Sequence, residues 1–231
     1  MRALLVRVGV AIVAAAAIFP KPSAAGALST RLDDAFRLLA DVAADDELRI
    51  RARDLIRSTL TFRANAVIPR LIQLGRKTKS DNVRMHIAIL LASAPDGPKV
   101  LPPAFPLLTE WLNSKKGDSG MRYWAARAIA NLQDEKALEV LKAYILDTKN
   151  PIHTRRVLVR DLAQWPEPLL RSKIVPLLLT LLKSTAAPAV PPKPEKDLGP
   201  AELRQRRKAE EERIEFRTAI IDALGLTVLD E

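Results

Sequence analysis

Two histidines, His86 and His153, are the side chains in this 231-residue sequence best suited to proton transfer or metal ligation, and they fall in separate segments with no paired spacing. A capping or surface role is expected of both. No cysteine occurs, so there is no thiol nucleophile, thiolate metal site, disulfide or lipid-modified cysteine. Adjacent carboxylates recur, as in Asp33-Asp34 and Asp45-Asp46, but such pairs on helices more often cap a terminus than form an acid/base couple. No glycine-rich phosphate loop, G-x-S-x-G or H-E-x-x-H motif is present. The expectation is a protein with no catalytic site, no cofactor and no metal. Trp111, Tyr123, Trp124 and Trp165 could anchor a binding surface, since aromatics dominate interface hot spots. In a chain with only 4% aromatics they serve equally well as packing wedges.

The elements that must position these residues are legible as a repeat. An arginine is followed three and seven positions later by apolar or small residues: Arg53 with Ile56 and Leu60, Arg84 with Ile87 and Leu91, Arg122 with Ala125 and Ile129, Arg155 with Leu158 and Leu162, and Arg217 with Ile220 and Leu224. The arginines are spaced 31, 38, 33 and 62 residues apart, the last interval being two periods. Positions three and seven apart share one helix face, so each phrase predicts an amphipathic helix.

A second phrase recurs between these. Val67-Ile68-Pro69-Arg70-Leu71, Ala104-Phe105-Pro106-Leu107-Leu108 and Ile174-Val175-Pro176-Leu177-Leu178 place their prolines 37 and 70 residues apart, and Ala137-Leu138-Glu139-Val140-Leu141 fills the gap without a proline. Proline is tolerated in a helix's first turn, where its missing N–H has no acceptor to meet. Each one predicts a second helix starting close by. Turn signals fall between the phrases, at Asp45-Asp46, Lys79 to Asn82, Ala94 to Pro98, Lys116 to Gly120, Asn150-Pro151 and Pro166 to Pro168. The unit is therefore a helical hairpin of about 31 to 38 residues.

From Asp46 to Gly225 this pattern resembles the HEAT-repeat family, including the short bacterial repeats associated with phycobilisome lyases. Met121 to Leu132 followed by Ala137 to Leu141 carries the resemblance most clearly, and Phe216 to Gly225 echoes its first helix. Armadillo and TPR repeats share such degenerate phrasing, and a single heterogeneous bundle is the bland alternative. What the resemblance implies is an all-α, right-handed solenoid of antiparallel helix pairs, four to five repeats long, with the second helices lining a concave face. On that face the non-apolar positions Arg70, Gln73, Glu110, Lys142 and Lys173 become candidate partner contacts. The recurring Arg53, Arg84, Arg122, Arg155 and Arg217 become structural, pairing with aspartates of neighbouring turns.

Composition agrees with helices. Hydrophobic residues make up 48% and charged residues 28%, with eight glycines in all, a balance that supports a core and disfavours both disorder and an aromatic-rich sheet. Residues 1–27 read as a cleaved secretory signal. Arg2 and Arg7 precede an apolar run from Val8 to Phe19, and Ser23-Ala24-Ala25 and Ala25-Gly26-Ala27 offer cleavage after Ala25 or Ala27. The run is short for an uncleaved anchor, which needs about 20 apolar residues. The expected location is periplasmic or secreted, with no membrane span after cleavage. The formal charge is +10, and the leader holds three cations and no acid, leaving the mature chain at +7. Such a surface suits acidic partners.

Beyond residues 28–184, assigned to the repeats, residues 185–200 carry five prolines and read as an extended linker. Residues 201–231 read as a long C-terminal helix completing the stack, polar in its first half, where Arg206, Arg207 and Lys208 can face Glu210, Glu211 and Glu212. The function expected is an exported, non-catalytic scaffold that binds a protein partner, of unknown identity, through its concave face. A nucleic-acid-binding protein is one alternative, favoured by the charge and disfavoured by export. A lyase-type accessory protein is another, suggested only by the repeat's name.

Overall fold

A computed structural model describes residues 24–114, 117–165, 168–185 and 198–228. The leader reading therefore lies mostly outside the described residues, as does nearly all of the proline-rich linker. Every regular element described is helical and none is a strand. The chain divides into two compact units, one ending at Ile56 and one running from Arg57.

The first unit holds α1 (Ala24–Ala40) and the start of α2 (Asp46–Lys77). Leu32, Ala35, Phe36 and Leu39 form the buried stripe of α1, at the spacing of one helix face. The turn after α1 is tied by Arg49, only 2% exposed. Its Nη2 donates to the carbonyls of Asp41 (2.9 Å) and Ala44 (3.0 Å), and its Nη1 to Asp46 Oδ1 (2.7 Å). A buried guanidinium is tolerated because acceptors replace the water it loses.

The second unit is built from two kinds of helix in alternation. Helices of the arginine phrase are α3 (Asp81–Ala92), α6 (Ser119–Ala130), α8 (Ile152–Ala163) and α10 (Pro200–Val228). They pack in series, α3 on α6, α6 on α8 and α8 on α10. Helices of the second phrase are residues 64–77 of α2, α5 (Phe105–Leu112), α7 (Glu135–Leu146) and α9 (Pro168–Ser184). Here α5 and α7 pack on α6, and α9 on α8 and α10. From α5 onward each helix thus meets the next along the chain, the order of a repeat stack. A four-residue helix, α4 (Gly97–Val100), and a 3-10 turn (Pro102–Ala104) lead into α5.

The apolar phrase is the core. Ile87 and Leu91, Ala125 and Ile129, and Leu158 and Leu162 are all fully buried, and so is Ile220, whereas Leu224 is only half-buried. Each buried leucine or isoleucine contributes about 1.5–3 kcal/mol, so these faces outweigh the weak helix propensities along the chain. The starts of α3, α6 and α7 are capped by side chains: Ser80 accepts from Val83 N–H, Asp118 from those of Gly120 and Met121, and Asp134 from Ala137 N–H.

The prolines differ from expectation. Only Pro106 stands in a first turn, that of α5. Pro69 and Pro176 lie inside helices, and the break in α2 falls earlier, at Arg63, where φ is −138° and ψ 37°. Each sits where a missing hydrogen bond is outweighed by the burial of its neighbours, Val67, Ile68 and Leu71 around one and Ile174, Leu177 and Leu178 around the other.

Two glycines are required by close packing. A Cβ at Gly75 would come within 2.8 Å of Leu107 and 2.9 Å of Trp111, so α2 approaches α5 only because the side chain is absent. A Cβ at Gly97 would lie 2.0 Å from the Asn131 carbonyl oxygen. Asn131 in turn donates from Nδ2 to the carbonyl of Ala94 at 2.9 Å, joining the turn after α3 to the end of α6.

Candidate protein-binding surface

Two of the grooves on the second-phrase helices of the second unit have apolar floors. One, of about 400 Å³, runs between α7 and α9 over Leu138, Pro176 and Leu177, with Lys142 and Lys173 beside it. Lys142 pairs with Glu139 at 3.7 Å and Lys173 with Glu135. Both pairs are exposed to solvent and contribute little to stability, so either lysine can exchange its partner for an external carboxylate at small cost.

The other groove, of about 560 Å³, lies between the second half of α2 and the α4 turn. Ile68, Ile72 and Val100 form its floor, and Gln73, Arg76, Lys77 and Lys99 stand around it.

Of the five candidate contacts, Lys142 and Lys173 are therefore brought together and Gln73 stands in a different groove. Arg70 and Glu110 line neither groove; Arg70 is half-buried on α2 and Glu110 exposed on α5. The aromatics divide in a similar way. Trp111 and Trp165 are 1% exposed and act as wedges in the core. Tyr123 and Trp124 are half-exposed and meet edge to face, with centroids 5.1 Å apart. Arg127 lies 5.5 Å from the Trp124 centroid and His153 stacks on Tyr123 at 5.4 Å.

The recurring arginines serve helix ends. Arg84 Nε donates to the carbonyl of Thr78, just past α2, Arg155 Nε to Ile145 at the end of α7, and Arg217 Nη1 to Leu182 at the end of α9. A cation there meets unsatisfied carbonyls and the negative end of the helix dipole. The expected partners were aspartates. Arg84 does also approach Asp81, at 3.5 Å, and Arg53 approaches Asp54 at the same distance, but in each case the acid stands on the arginine's own helix. The Nε atoms of Arg53 and Arg122 are instead buried without a hydrogen-bond partner, and Arg122 faces a ring. It stands close enough to Tyr144 to draw that phenol's pKa down, against the larger upward push of burial. Burial lowers the pKa of Arg155, with Asp147 opposing.

Two arginine interactions, one buried and one half-buried, escaped the sequence reading. Arg49 stands one turn before Arg53, where an arginine-rich helix offers several choices of register. Arg127 Nε donates to Asp161 Oδ2 at 3.0 Å, joining α6 to α8. Burial raises the Asp161 pKa despite this neighbour. The signal for the pair is an acid one repeat away from an arginine off the buried face, a pattern too common to single out.

As for catalysis, His86 is 5% exposed, which makes it a core residue rather than the cap or surface residue expected, while His153 is exposed on α8. The two lie on different helices. Among the described residues no three His, Asp or Glu side chains converge as metal ligands, and no helix is long and apolar enough to cross a membrane.

Paired helices packed in series, with one arginine phrase per pair, are the geometry of a repeat family, and residues 68–153 match the family model of HEAT repeats. Residues 68–153 carry HEAT repeats. The match runs from the second half of α2 through α3, α4, α5, α6 and α7 to the start of α8. HEAT repeats generally act as protein-interaction scaffolds and are typically non-catalytic. No curated protein matches the chain.

Proposed function

We propose that this HEAT-repeat chain is an exported scaffold that binds a protein partner through the side formed by its second-phrase helices. The observation that carries the reading is the pair of surface grooves on those helices, each with an apolar floor and lysines at its edge, on a repeat type whose general role is protein interaction. Interfaces of this kind combine an apolar centre with a charged rim. The α7–α9 groove brings Lys142 and Lys173 to one place, where acidic side chains of a partner can meet them. The basic and apolar leader supports export to the periplasm or beyond, and catalysis has no residue set to support it.

Photo-crosslinking side chains installed singly at Gln73, Lys142 and Lys173, and at Arg160 on the exposed face of α8, test the reading in intact cells. Crosslinks to a defined protein from the first three and not from Arg160 are expected. Equal labelling from all four positions overturns the proposal. Fractionation with N-terminal sequencing tests export, the expected mature start being Gly26 or Leu28. The mature charge of +7 favours a second reading, nucleic-acid binding. That reading predicts duplex binding that weakens steeply with salt, and recovery of the protein outside the cytoplasm ends it.

A further inference from the structure

The groove between α2 and the α4 turn differs in charge from the one between α7 and α9, whose lining includes Glu139. Its residues include three cations, Arg76, Lys77 and Lys99, and no acid. Lys99 reaches Asp96 only at 4.0 Å, both side chains being mostly exposed, so it keeps its capacity for another carboxylate. Below the cations lie Ile68, Ile72 and Val100, flanked by the exposed rings of Pro69 and Pro103. Pro69 has no N–H to give the carbonyl of Asn65 four residues earlier, and Asn65 is also a lining residue. The Asn65 carbonyl therefore lacks its helical donor. Close packing fixes the groove's two walls: Gly75 seats α2 on Leu107 and Trp111, and Gly97 seats the α4 turn on Asn131.

We infer that this groove binds a short acidic segment of a partner protein, inserting one or two aliphatic side chains between Ile72 and Val100 while its carboxylates meet Arg76, Lys77 and Lys99. The inference rests on the scaffold reading above and names the chemistry of its partner. Charge complementarity sets the sign of the ligand, and the apolar floor requires it to carry side chains as well as charge. Nucleic acid fits less well, because no aromatic lines the groove for base stacking.

The test is selection from a random library of peptides of about a dozen residues displayed on phage, against the full mature chain. Peptides with an aliphatic residue flanked by Asp or Glu are expected to be enriched. Their affinity, by fluorescence anisotropy, is expected to fall about tenfold or more in the double variant Arg76→Glu with Lys99→Glu and in Val100→Asp. It is expected to stay unchanged in Arg160→Glu, on the exposed face of α8. Helical circular dichroism and melting temperature identify any variant that fails to fold, and Gln73→Ala, on an exposed position, provides a conservative second probe of the same wall.

Enrichment of basic or uncharged peptides, or equal affinity across the variants, overturns the inference. So does binding of duplex DNA or of phosphatidylglycerol vesicles that the same charge reversals abolish. A cellular partner that crosslinks at Lys142 and Lys173 and ignores Arg76→Glu with Lys99→Glu leaves the scaffold standing and removes this groove from it. Absence of any crosslinked protein, with acidic peptides still selected, removes the scaffold and keeps the groove.

Discussion

The guanidinium of Arg155 on α8 lies 4.4 Å from the ring centroid of Phe216 on α10. This contact is made across the proline-rich linker, between the fourth arginine phrase and the last. Phe216 is 1% exposed, so the pair combines ring burial with a partly desolvated cation–π interaction, worth about 2 kcal/mol or more in such a setting. Phe216→Ala is expected to cost about 3–5 kcal/mol, read as a lower urea midpoint and faster proteolysis within α10. Phe216→Leu, which keeps most of the volume, is expected to restore much of this. Equal losses in the two variants would assign the contact to the ring's charge interaction instead of its bulk.

Gly75 is expected to tolerate no side chain. Gly75→Val drives methyl groups into Leu107 and Trp111, which a Cβ would already meet at under 3.0 Å, at a cost of about 1–3 kcal/mol from overpacking. Trp111→Phe in the same chain is expected to recover part of it, and the non-additivity in a double-mutant cycle measures the contact. Full additivity would mean that α2 and α5 move apart freely.

Tyr144 titrates above the ordinary phenol value because burial opposes its anion, and the charge of Arg122 holds it back. Tyr123 is the only other tyrosine. In a Tyr123→Phe background, the tyrosinate absorbance therefore reports Tyr144 alone. Arg122→Met is expected to move its midpoint to still higher pH. A downward move would contradict the placement of Arg122 beside the ring.

Asp161 has its pKa raised above 3.8, mainly by burial, with Arg127 pulling the other way. The folded state therefore holds this proton more tightly than the unfolded chain does. The resulting stabilisation is complete below the unfolded value and is lost as pH rises through the folded one. The melting temperature of the native chain minus that of Asp161→Asn is thus expected to fall as pH rises from about 3 to about 6. A rise across this window would reverse the sign assigned to the pair.

Arg49 donates three of its hydrogen bonds to the turn between α1 and α2 and one to Asp46. Arg49→Met keeps the stem and removes the donors. Amide exchange in residues 41–45 is expected to accelerate by about tenfold or more, the equivalent of about 1.4 kcal/mol of lost local protection. Exchange in α6 and α8 is expected to stay unchanged.

The contrast between Arg49 and Arg53 shows where legibility stops. Both lie in the same helix, and the period selects Arg53 because Ile56 and Leu60 follow it at the right distances. The more deeply buried cation is Arg49, chosen by the carbonyls that the preceding turn happens to present. Lys142 and Lys173 were legible as members of one helix type, and they do flank one groove. Gln73 was legible on the same grounds, but its groove depends on Lys99 and Val100 in a turn outside either phrase.

What the sequence by itself determined is therefore local and periodic: an all-helical chain, the two helix types, their order, and the apolar face each one buries. These follow from side-chain spacing along a single helix, where position in the chain is position in space. Which carbonyl each arginine caps, where Pro69 and Pro176 fall in their helices, and which cations share a groove were decided only by tertiary structure. Those relationships join residues from different repeats, and the distance between them is set by how closely helices such as α2 and α5 approach, at contacts like Gly75 against Trp111.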